Sequence, residues 1–121
     1  MRTVYCESWG RTVAATDDRY VLSDRIKPGY VLLVMTCFAG APEREANDVI
    51  EIGVRTGGKD VCLRHRAGSL AKNGMSTLNE FLVGEGDQVL AYFPDADTGD
   101  EISLCLNGFL MPVEEWREAP F

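Results

Sequence analysis

Apolar residues come in short runs along this chain, separated by clusters of Gly, Asp, Asn and Pro, and helical periodicity is nearly absent. That pattern predicts an all-β domain, a jelly-roll-like antiparallel β-sandwich of about eight strands. The first strand is "TVYCES", Thr3–Ser8, punctuated by Gly10 and followed by "RTVAAT". Asp17-Asp18 is a turn, and "RYVLS" is a short strand. Pro28-Gly29 suits the centre of a turn, because Pro fixes φ and Gly permits φ > 0. The next run, Tyr30–Phe38, is apolar at nearly every position, which predicts a long central strand buried on both faces.

Residues 39–48 read as a polar loop. In "VIEIGVRT", Ile50, Ile52 and Val54 point one way and Glu51, Gly53 and Arg55 the other. Gly57-Gly58 marks a tight hairpin. The returning strand, "VCLRHR", should carry Val61, Leu63 and His65 on one face and Arg64 and Arg66 on the other. Residues 67–74 are irregular, and "MSTLNEFLV" reads as one strand with an irregular start. After the turn "GEGD", the last two strands are "QVLAYF" and "EISLCLNGFLM", joined by "PDADTGD" as a closing hairpin. Residues 1–111 form the sandwich domain and 112–121 a C-terminal extension, "PVEEWREAPF".

The length of 121 residues suits one domain, and 45% apolar content can fill one core. A net charge of -7 repels phosphate backbones, so nucleic acid is not an expected partner. The N-terminal residues lack the apolar segment of a signal peptide, and the longest apolar run is too short to span a bilayer. The expectation is a protein made and folded in a cytoplasm, with no membrane partner.

Candidate chemistry is sparse. Cys6, Cys37, Cys62 and Cys105 are widely spaced, with no CxxC pair, and read as buried free thiols rather than zinc ligands. The single histidine, His65, lies between two arginines in a strand. No G-x-S-x-G elbow accompanies it, and Cys62 at i−3 would face away from it on a regular strand. Asp95, Asp97 and Asp100 are the weak metal candidates. An EF-hand is excluded, because Gly99 and Asp100 are in the wrong order and Leu106 stands where the bidentate Glu belongs. The loop reads as a turn. No cofactor is expected, and the chain reads as non-enzymatic.

The order of elements resembles small jelly-roll proteins of tailed-phage particles. The residues that carry the likeness are the "KPG" turn launching a long apolar strand, the "GEGDQV" turn, and a closing strand ending "GFLM". Gly86-Asp87-Gln88-Val89 and Gly108-Phe109-Leu110 are also similar to elements of C1q and tumour-necrosis-factor-like modules. The resemblance covers Tyr20–Met111. It implies a structural virion protein, a capsid decoration (cement) or tail accessory subunit, located in the virion and bound to other virion proteins, and a homo-oligomer. The alternative is a C1q- or lectin-like ligand- or receptor-binding module. Trp9, Phe109, Met111, Trp116 and Phe121 are the interface candidates, since aromatics and Met are enriched at interface centres.

Overall fold

A computed structural model of the chain describes residues 2–41, 49–66, 74–76 and 79–118. Among the described residues, nine strands form two antiparallel sheets: β1 (Thr3–Thr12), β2 (Tyr20–Leu22), β3 (Tyr30–Gly40), β4 (Ile50–Thr56), β5 (Lys59–Arg66), β6 (Gly74–Ser76), β7 (Phe81–Val83), β8 (Gln88–Tyr92) and β9 (Glu101–Pro112). One sheet has the order β1-β9-β3-β6, with β7 also paired to β3; the other has the order β2-β8-β4-β5. With β6 and β7 together filling one edge position, this is a jelly-roll sandwich of eight strand positions. A short helix, α1 (Val113–Glu118), follows β9.

The chain changes sheet at almost every connection. Among the described residues, only β4–β5 is a hairpin between consecutive long strands, with Gly57 at φ 56° and Gly58 at φ 77°. Positive φ at both centres gives the turn the twist that antiparallel strands need. The expected closing hairpin is corrected here. β8 pairs with β2 and β4, while β9 pairs with β1 and β3, so residues 93–100 cross between the sheets. "GEGD" likewise joins strands of different sheets. In "MSTLNEFLV", two short strands, β6 and β7, replace the single strand expected. Gly10 does not interrupt β1, which runs through it to Thr12.

The core fills the space between the sheets. Leu32, Val34, Cys37 and Ala39 come from β3, and Ile102, Leu104 and Leu106 from β9; they meet Ile50 and Ile52 of β4 and Val89 and Ala91 of β8. Phe93, among the largest fully buried side chains, lies just beyond β8 in the crossing loop. Its N–H donates to Arg19 O at 2.8 Å. The Lys27-to-Tyr30 turn has the expected form, with Gly29 at φ 85° and Tyr30 N–H bonded to Lys27 O. Gly29 N–H also donates to Glu85 Oε2 at 2.6 Å, and Val113 N–H to Gly29 O at 2.9 Å. The two turns and the start of the C-terminal extension are thus fastened together.

Two β-bulges bend the sheets. Met35 is the extra residue in β3, and Leu63 the extra residue in β5. The second changes the expected facing of β5. Cys62 stands opposite Gly53 and His65 opposite Glu51, while Val61 and Arg64 stand opposite Val54 and Ile52. Positions 62 and 65 therefore share a register face, contrary to the regular alternation expected for them.

Candidate functional site

Burial along β3 departs from the sequence expectation in one respect that matters. Its inward residues are fully buried, but Met35, Thr36 and Phe38 are exposed and Leu33 is half-buried. The strand is apolar on both faces, yet the described residues leave its outer face open beyond the Val31–Met111 row, where Met111 is buried.

Register lines up the uncovered face. Val4, Phe109, Leu33 and Leu82 form one row across β1, β9, β3 and β7. Cys6, Asn107 and Thr36 form the next, and Ser8, Cys105, Phe38 and Ser76 the third. Val4 is 76% exposed and Phe38 46%. None of these residues carries a formal charge, although 26% of the chain does. The polar pair at the centre is bonded to itself: Asn107 Nδ2 donates to Thr36 Oγ1 at 3.2 Å.

The opposite sheet presents a different surface. A groove of about 330 Å³ runs over its outer face, with Gly53 and Leu90 at its base. Tyr20, Tyr92, Val61 and Cys62 line it, with Glu51, Arg55 and Asp60 as its charged groups. Arg55 donates to Asp60 through Nε at 2.7 Å and Nη2 at 3.2 Å. The hydrogen bond from Arg55 is the main cause that holds the Asp60 carboxyl below its ordinary value. Two guanidinium groups contact Tyr20: Arg11 at 5.2 Å and Arg55 at 5.3 Å from the ring centre.

No protein-family model matches the chain, and no curated protein matches it. Among solved structures, it is similar to the Drosophila NLP core, whose structure was described for pentamer formation and histone binding. The two share 14% identity over 89% of this chain and 97% of that one, with a TM-score of 0.42. A likeness that weak carries no argument about function.

The interface candidates separate on the structure. Phe109 lies on the uncovered face, half-buried between Val4 and Leu33. Trp9 turns inward and packs against the core, and Met111 is buried within the chain's own fold. Met111 presents no surface to a partner, and Trp9 keeps only part of its side chain exposed. The side chain of Trp116 and the whole of Phe121 lie outside the described residues, as does the side chain of His65. Val4, Leu33, Phe38 and Leu82 were not singled out by the sequence, because only register brings them together.

The acidic loop directs its carboxylates at backbone N–H groups, one outside the loop and one within it. Asp95 Oδ2 accepts from Val49 N–H at 2.9 Å and Asp100 Oδ2 from Asp97 N–H at 2.7 Å. Gly99, at φ 95°, donates its N–H to Val13 O, which ties the loop to the end of β1. Among the described residues, no three His, Cys, Asp or Glu side chains converge as a metal site.

The cysteines also divide. Cys37 is buried, Cys105 half-buried, and Cys6 and Cys62 exposed, so the expectation of four buried thiols holds for Cys37 alone. All four are free. Burial pushes the Cys37 thiol up to about 12, with Cys105 adding to the shift. No helix among the described residues is long and apolar enough to cross a membrane.

Proposed function

We propose that this protein is a structural subunit of a virus particle, a capsid-decoration or tail accessory protein, that self-associates through the outer face of its five-stranded sheet. The observation that carries this reading is the uncharged, largely apolar face made by Val4, Phe109, Leu33, Leu82 and Phe38. Apolar area of this kind gains free energy by leaving water, and contiguous patches mark interaction surfaces.

A second copy suits the face for two reasons. Two chains that each carry -7 avoid close like-charge contacts by meeting through neutral surface. The size of the face also fits. Its three rows, four strands wide and about five residues long, offer roughly 300 Å² per copy, which suits the apolar centre of an interface of about 800 Å² per partner. Neighbouring virion proteins would then dock on the remaining surface. The resemblance in turn placement and strand order supports the virion setting, and the reading is of a binding protein rather than a catalyst.

Light scattering coupled to size exclusion tests self-association. The protein is expected to run as a dimer or higher oligomer, and Phe38→Asp to run as a monomer with an unchanged far-UV spectrum. A wild-type protein that stays monomeric up to roughly 100 µM would sink the association. Mass spectrometry of purified particles tests the virion assignment, which fails if the protein is absent from them.

A further inference from the structure

We propose that the groove on the outer face of the four-stranded sheet is a binding site for a neutral saccharide, with one sugar ring stacked on Tyr92 and hydroxyls held by the Arg55–Asp60 pair. This site is independent of the face that carries self-association, because it lies on the other sheet.

The groove exists because of Gly53. A Cβ there would run into the Val61 carbonyl, brought close by the β5 bulge. The position therefore stays bare, and the sheet surface dips between Tyr92, Arg55 and Cys62. Leu90, only 8% exposed, gives the dip an apolar floor outside the main core. Its volume of about 330 Å³ is at the small end of ligand sites, which run roughly 300–1,000 Å³. That suits a ligand of one or two rings.

The charges decide the class of ligand. An anion is disfavoured: Arg55 already holds Asp60 with two bonds, Glu51 is nearby, and the whole chain is negative. A quaternary or alkyl ammonium is disfavoured too, because the arginines at Tyr20 already supply that ring with cations. A wholly apolar ligand would bury the Arg55–Asp60 pair without replacing its water.

What fits is a neutral ligand with one apolar face and a rim of hydroxyls. Tyr92, 37% exposed, offers a ring for the C–H face. The Arg55 fork has five N–H donors; Asp60 takes two and Tyr20 shares a further bond, which leaves donors for a ligand, and the Asp60 carboxylate retains lone pairs beyond its two bonds. Both groups are held in place before a ligand arrives, which lowers the entropic cost of binding.

The test is a glycan array of neutral and anionic oligosaccharides, followed by amide-shift NMR titration of the wild-type protein with the best neutral hit. The expected shifts centre on Gly53, Leu90 and Tyr92. Tyr92→Ala is expected to weaken binding by about tenfold or more, with an unchanged melting temperature. Asp60→Asn gives a second, independent loss. The proposal is overturned if no neutral glycan binds, if only anionic glycans bind, if the shifts fall elsewhere, or if Tyr92→Ala binds like wild type. A proline-rich peptide that moves the same amides while no glycan does would assign the groove to a protein ligand instead. Loss of self-association in the Phe38→Asp protein leaves these outcomes unaffected, so the two readings fail separately.

Discussion

A thiol's environment here is decided by strand parity rather than by residue type. Cys37 pairs with Leu106 on the inward side of β3, while Cys105, opposite Phe38, faces outward. The native Cys37 thiol ionises near 12, against an ordinary value of 9.0. Above pH 9 the unfolded chain releases a proton that the native chain keeps. This contribution to stability is complete below pH 9 and is lost as pH rises towards 12, at about 1.4 kcal/mol per pH unit while the gap is open. Tyr5, raised chiefly by burial and then by Asp24 and Glu7, acts with the same sign. Urea unfolding under reductant at pH 8 and pH 10 measures the effect. Cys37→Ala is expected to lose about 1 kcal/mol at pH 8 through its small cavity. It should then fall less steeply with pH than wild type, and parallel slopes would contradict the burial argument.

At the scale of elements, both bulges are accommodated by a glycine in the partner strand. Gly108 of β9 stands opposite Val34, beside the Met35 bulge, and a Cβ there would meet the Leu33 carbonyl. Gly53 serves the Leu63 bulge in the same way. A strand glycine can mark such an approach, but the extra residue sits in another strand, so alternation alone could not show where β5 changes face. The strands themselves were legible, because runs such as Tyr30–Phe38 and the alternation through Ile50, Ile52 and Val54 state their own period. Pairing was not. Consecutive strands usually neighbour each other, which favours a closing hairpin, whereas here the loop carrying Phe93 and Ala96 passes between sheets with both side chains buried. Gly108→Ala is expected to destabilise by about 1–3 kcal/mol, since backbone must yield to the new methyl group. Gly10→Ala, whose nearest atom would be Ile102 O at 3.4 Å, should stay within about 0.5 kcal/mol of wild type. Chemical denaturation of the two variants provides the comparison.

For the molecule as a whole, the two outer faces differ in the chemistry they offer. One presents three uncharged rows, the first of them apolar; the other is notched and carries an ion pair. The apolar pattern of β3 was legible as a demand for burial on both sides. Which body supplies the second cover was not, because a single chain's pattern does not distinguish its own second layer from another copy. Each face carries an exposed cysteine, Cys6 on the apolar one and Cys62 in the groove, so association can be mapped without substitutions. Alkylation followed by peptide mass spectrometry would be run across a dilution series. If the apolar faces meet, Cys6 modification should slow by about tenfold or more at high concentration and recover on dilution, because a buried interface excludes the reagent. Cys62 should react at the same rate throughout, which also leaves the groove open to a ligand in the oligomer. Protection of Cys62 instead would move the interface to the four-stranded sheet and close the saccharide site by occupation. Equal rates at both thiols at every concentration, in a protein shown to be oligomeric, would place the contact on the edges or termini and leave the apolar face uncovered.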